Sequence, residues 1–243
     1  MSARTVDWGT PDSPRGGGTG GEGLRERKKR LMRQQLTSVA TELFVERGFD
    51  AVRVSEVAAA CGVSEKTVFN YFPTKESLVL DMPDALLAAL RTGLADPAVP
   101  VVEAALRILA DGIGSITAWL EQQEDLAEAI ARMRRFGVLV HGTPSLRSYQ
   151  REMTDQLVTA AAETLAERAR VDADDPRAQI TATALLGLWQ VQFRSLRSHL
   201  DAVRDPALLA AAVTEDVRRA ARLLEGGLAD YPGPGGPTAP GAP

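Results

Sequence analysis

Leu36, Val39, Ala40, Leu43 and Phe44 fall at i, i+3, i+4, i+7 and i+8, the apolar stripe of an amphipathic helix that Gly48 should end. Two short apolar-periodic runs follow on either side of Gly62, in the stretch VSEVAAACGVSEKTVFNYF. Further on, a capping residue followed by proline recurs at Asp96-Pro97, Thr143-Pro144, Asp175-Pro176 and Asp205-Pro206. Each pair offers a side-chain acceptor at an N-cap and a preset φ at the first helical position. The spacing predicts helices over roughly 98–121, 124–135, 144–170, 176–201 and 206–226. Pro83 is expected to kink or start the helix that carries Leu86, Leu87, Leu90 and Leu94. Strand-type alternation is absent over any useful length, so the pattern predicts an all-α fold of about nine helices.

The two ends depart from this pattern. Residues 1–23 and 229–243 are rich in Gly, Pro, Ser and Thr and cannot bury enough apolar surface to fold alone. They are expected to be disordered tails around a helical chain. With 44% hydrophobic and 25% charged residues, the composition is that of an ordinary globular protein. No apolar run long enough to span a bilayer is present, and the N-terminus lacks a secretory pattern. A cytoplasmic protein without membrane contact is the expectation. Cys61 is the sole cysteine, which excludes an intramolecular disulfide and a thiolate-based zinc site and leaves a small buried filler as its expected role.

Charge changes the picture more than composition does. The net charge of −4 argues against a nucleic-acid partner, but its distribution argues for one. Arg25 to Lys75 holds ten basic residues against six acidic ones, a balance of +4, so the remainder carries −8. A basic front on an acidic body is expected where one end alone meets phosphate.

The glycine-centred stretch shows what that front could be. Two helices that cross closely at a steep angle need a small residue on the first and a glycine in the turn, and Ala58 and Gly62 supply them. Val57, Cys61, Val63 and Val68 supply apolar contacts, Ser64 can cap the second helix, and Phe69 and Phe72 are expected in the core. Glu65, Lys66, Thr67, Phe69, Asn70 and Tyr71 then leave a two-turn helix with too many polar and aromatic groups for a mere core element. The run RVSEVAAACGVSEKTVFNYFPTKESLV, preceded by ELFVERGFDAV, resembles the DNA-binding domain of the TetR (tetracycline repressor) family of transcriptional regulators. The resemblance in motif covers about residues 30–80.

The resemblance implies a helix-turn-helix DNA-binding domain over 24–80 and a helical effector-binding and dimerisation domain over 81–228. It places Ser64, Lys66, Thr67, Asn70 and Tyr71 on the recognition helix and Lys75 against a phosphate. Tyr71 can donate to a phosphate oxygen, while Asn70 or Lys66 could read adenine or guanine. Arg53 stands where the family often has threonine. It cannot cap as threonine does, so it is expected as a phosphate contact or merely exposed. Ser55 replaces an arginine that reads a base in some members. The basic run RERKKR could lie along the DNA backbone, enter a minor groove, or be only a solvated helix start.

For the body, Leu185, Trp189 and Leu196 on one helix and Val213, Val217 and Leu224 on the next are the candidate dimer interface, with burial inside one chain as the alternative. Trp119, Phe136, Tyr149, Met153, Trp189 and Phe193 are candidates for lining a pocket for a small apolar effector, with Gln192, Arg132 or His141 as its polar groups. No phosphate loop, nucleophile elbow or metal-ligand spacing of His141 and His199 suggests an enzyme, a metal or a cofactor. The expected function is a homodimeric repressor on double-stranded DNA, freed from an inverted-repeat operator by its effector. The alternative is a helix-turn-helix protein, architectural or controlled by a protein partner, without an effector.

Overall fold

The computed structural model describes residues 23–81, 84–202 and 205–228. Among these residues the chain forms nine α-helices and two short 3₁₀ turns, and no strand. The helices are α1 (Leu24–Arg47), α2 (Val54–Ala60), α3 (Glu65–Tyr71), α4 (Asp84–Ala95), α5 (Val101–Glu121), α6 (Leu126–Gly142), α7 (Pro144–Ala169), α8 (Pro176–His199) and α9 (Pro206–Leu228). Apart from Gly23, the two expected tails lie outside the described residues, as does Pro83. The chain divides into two compact units, one of residues up to 83 with 119–152 and one of 84–118 with 153 onward.

In the first unit, the predicted stripe of α1 buries Leu36, Ala40 and Phe44 completely. They pack with Val57 and Ala58 of α2, Val68 of α3, and Phe49, Val52, Phe72 and Leu78 from the connecting segments. Leu139 and Val140 of α6 complete this core. Burying one such Leu, Val or Phe contributes about 1.5–3 kcal/mol, so these side chains decide the fold of a unit whose helices are too short to stand alone. Arg33 closes its rim. The guanidinium grips Asp81 with two hydrogen bonds of 2.6 and 2.5 Å, donates to the Tyr71 carbonyl at 3.0 Å, and lies 4.5 Å from the Phe72 ring centroid.

The second unit holds α4, most of α5, the larger part of α7, and α8 and α9, and α8 and α9 pack along each other. This pairing uses residues that were candidates for the dimer interface. Leu185, Leu196, Val213 and Val217 are all buried within the single chain, and Trp189 and Leu224 are half-buried. Periodicity identifies an apolar face but not what covers it; here each helix covers the other. Polar contacts fix the pairing. Ser195 Oγ donates to Asp216 Oδ2 at 2.7 Å, His199 Nε2 lies 3.1 Å from the same oxygen, and Arg219 holds Oδ1 at 2.6 Å. The Ser195 hydroxyl first, then His199 and Arg219, hold the Asp216 carboxyl below its usual range. Arg168 Nη1 donates to the carbonyls of Leu94, Asp96 and Val99 at 3.1–3.2 Å, tying the α4–α5 loop to α7.

Two element borders differ from the sequence pattern. Asp96 does not start α5: its Oδ1 accepts from the Ala98 amide at 2.9 Å in a local turn, and the helix begins one proline later, with Pro100 O accepting from Ala104. Helix α6 runs to Gly142 instead of ending near 135, because Gly137 is tolerated inside it and the stop is the Thr143-Pro144 step. Asp175 and Asp205 do cap, each accepting from the amide two residues on at 2.8 Å.

Candidate nucleic-acid interface

Helix α2 ends because Gly62 takes φ +69, a left-handed conformation that costs a residue with a Cβ about 1–2 kcal/mol. The Gly62 amide donates to Ala59 O at 3.1 Å and the Val63 amide to Ala58 O at 3.0 Å. This is the Schellman pattern, which satisfies carbonyls that the helix end leaves open. No atom lies within 4 Å of where a Gly62 Cβ would stand, so conformation rather than space calls for glycine. Ser64 then starts α3. Its Oγ accepts from the Thr67 amide at 3.1 Å and meets Thr67 Oγ1 at 2.8 Å. The start of α2 is held differently. Arg53 makes no side-chain cap; Glu56 Oε2 accepts the Arg53 amide at 2.8 Å, and Glu56 Oε1 accepts from Arg47 at 2.7 Å. The Arg53 amide, and after it the Arg47 guanidinium, hold the Glu56 carboxyl below its ordinary range.

Helix α3 is consequently fixed by Val68, fully buried on its inner side, and by Phe72 just beyond its end. Its outer side carries Lys66, Phe69 and Asn70, spaced i, i+3 and i+4 and all exposed. Glu65 and Ser64 are exposed beside them, and Thr67 and Tyr71 are half-buried on the flanks. The placement of Phe69 corrects the expectation of a core residue: 46% of it is exposed. Val68 and Phe72 already fill the inner side of a helix of seven residues, leaving Phe69 no place there. Its position one turn from Lys66 was the available signal.

Arg53 and Ser55 are exposed at the start of α2. Lys75 is placed otherwise than a solvated phosphate ligand. Its ammonium donates to Phe49 O at 2.6 Å and lies 4.4 Å from the Phe49 ring centroid and 5.5 Å from that of Phe44. It braces the α1–α2 corner against the segment after α3. Cys61 is half-buried at the end of α2, and burial pushes its thiol pKa up.

The six effector-pocket candidates are not gathered by either of two cavities. One, of about 110 Å³, lies in the second unit between α5, α8 and α9 and is lined by Glu103, Arg107, Leu109, Gln192, Thr214 and Arg218 among others. The other, an open groove of about 420 Å³, lies in the first unit between α1 and α6, with Phe44, Val45 and Leu139 along it and Arg134 and Arg135 at its rim. Trp119 has the Arg132 guanidinium 6.0 Å from its ring centroid, and Phe136 packs on the first core. Tyr149, Met153 and Trp189 are half-buried, while Phe193 is 48% exposed. Of the expected polar groups, only Gln192 lines a cavity, with its Nε2 donating to Leu109 O at 2.7 Å. His141 turns back on Gly137 O at 2.8 Å. Among the described residues no cluster of side chains could hold a metal ion, and no helix is long and apolar enough to cross a membrane.

A short helix braced by a glycine turn, with its outer face exposed and its inner face in the core, defines a helix-turn-helix DNA-binding protein. The comparisons with known proteins agree. Residues 36–82 match the family described as bacterial regulatory proteins, tetR family, and residues 127–229 match the MftR C-terminal domain. The chain is 31% identical over 163 residues to the HTH-type transcriptional regulator TcmR of Streptomyces glaucescens, covering 64% of this chain and 68% of that protein. It is 26% identical over 162 residues to the regulator MftR of Mycobacterium tuberculosis, covering 67% and 78%. With the HTH-type transcriptional regulator LuxR of Vibrio harveyi it shares 38% identity over 64 residues, 26% of this chain and 31% of that one. The chain belongs to the TetR family of transcriptional regulators, and it is a DNA-binding regulator.

Proposed function

We propose that the protein acts as a homodimeric repressor on an inverted-repeat operator and is released by a small effector bound in its helical body. In this reading residues 24–80 are the DNA-binding domain and 81–228 the effector and dimerisation domain. The observation that carries it is the outer face of α3, where Lys66, Phe69 and Asn70 stand exposed side by side over a buried Val68. Each suits a major-groove partner: lysine for guanine, asparagine for adenine, phenylalanine for a thymine methyl. Ser64, Thr67, Tyr71 and Arg53 flank that face and suit phosphates, which fix register without reading sequence. Lys75 serves the interface chiefly by bracing the corner behind α3, with its remaining N–H donors available to a phosphate.

Three large apolar side chains support dimerisation. Ile180 on α8 and Leu208 and Leu223 on α9 are 65%, 67% and 82% exposed, an arrangement that a second copy would cover. A second reading, control by a protein partner without a small effector, is favoured by one observation. The cavity between α5, α8 and α9 is about 110 Å³, below the roughly 300–1,000 Å³ of small-molecule sites, whereas the open groove between α1 and α6, at about 420 Å³, is not. A footprint on the DNA upstream of its own coding region, repeated with random duplex over a range of salt, tests the proposal. Inverted-repeat protection spaced near whole helical turns is the expected result. Equal affinity for both duplexes would refute it.

A further inference from the structure

The buried face of α1 does not end where its apolar residues end. Counting back from Phe44, Ala40 and Leu36 along the same side of the helix come Arg33, Lys29 and Arg25, all within an arc of about 100°. Arg33 is half-buried and its guanidinium sits on the Tyr71 carbonyl, at the C-terminal end of α3. Lys29 and Arg25 are exposed and lie about 6 and 12 Å from Arg33 along the helix axis, towards the start of α1. The side of α1 that packs on the core of this unit therefore turns from apolar to basic towards the start of the helix.

Stability of the helix does not account for this. Cations in the first turns oppose the helix dipole, Glu26 is the only acid there, and Gly23 offers no side-chain cap. Before Leu36 only Met32 packs on this core, partly buried, so the first two turns bury little apolar surface.

We infer that the first two turns of α1 are a one-sided, helical extension of the DNA interface, in which Arg25 and Lys29 hold phosphates flanking the half-site that α3 reads. The inference rests on the reading of α3 as recognition helix. Arg27 carries the same charge on the opposite side of α1, about 150° from the middle of that arc, and contributes only diffuse attraction.

The test compares two single variants of the full chain, K29A and R27A, which remove equal charge and keep helix-forming residues in place. Affinity is measured against salt on the operator with its flanks and on random duplex. K29A is expected to shallow the log–log slope by about 1.8, one contact of about 0.9 in each of the two protomers, on both duplexes, and to shorten the footprint at its outer edges. R27A is expected to change the slope by less than half as much. Equal losses in the two variants would overturn the inference in favour of unspecific attraction, and no loss in either would overturn it outright. Failure of the α3 reading shows separately, as absence of operator preference in the unmodified protein.

Discussion

At the scale of single residues, the interface separates groups that can read sequence from groups that hold the scaffold. Asn70 is exposed on the outer face of α3, and its amide can pair bidentately with one adenine. Asn70→Ala is expected to cost about 1–3 kcal/mol per half-site of the operator, with the salt slope unchanged and the loss confined to one base pair in each. Competition binding with single-base operator variants checks this. Lys75 belongs to the other group. Its ammonium is held by Phe49 O and two aromatic rings, so Lys75→Ala is expected to destabilise the protein by about 1–3 kcal/mol in denaturant unfolding even without DNA. An unchanged unfolding midpoint would return Lys75 to a pure phosphate role. The sequence made Ser64 legible as a cap and Gly62 as the turn, because each meets a demand of the backbone that few residue types satisfy. Phe69 was misread because an aromatic residue on a two-turn helix looks the same whether it faces the core or the groove.

At the scale of elements, the apolar period located the helices, and the capping aspartates placed the starts of α8 and α9. The Asp96-Pro97 pair carried the same signature and made only a turn, since an Asx turn and an N-cap use the same side-chain acceptor. The pairing of α8 with α9 was open in the sequence, because stripes on two helices can cover each other or a second copy equally well. Its polar lock gives a pH prediction. Asp216 titrates below an unfolded aspartate because Ser195, His199 and Arg219 favour its charged form. That stabilisation is fully present above the unfolded aspartate pKa of about 3.9 and is lost as pH falls through the lower folded value. Asp216→Asn should therefore be less stable than the unmodified protein near neutrality, with the difference shrinking on acidification below about pH 4. Thermal unfolding across that range checks the sign; a gap that stays constant would mean that the lock owes nothing to the charge.

At the scale of the whole molecule, two-fold symmetry is what would turn one recognition helix into a specific operator reader. A single short helix touches few base pairs, whereas two copies related by a two-fold axis must meet the groove on one side of the duplex, about 34–36 Å apart per turn. The choice of dimer surface can be decided by burial. Leu185, Val213 and Val217 are almost fully buried within one chain, so a charge placed there would unfold it. Ile180 and Leu208 are exposed, and a charge at either costs the free chain little. The double variant I180D/L208D is therefore expected to sediment as a monomer at concentrations where the unmodified protein is a dimer, with its unfolding midpoint no lower than that of a separated protomer. On DNA it should keep the affinity of one half-site and lose the steep preference for the inverted repeat. Sedimentation and footprinting on intact and half operators measure both effects. A dimer that survives the double change would move the interface off these faces of α8 and α9. Monomers that still protect both half-sites together would remove symmetry from the account of specificity.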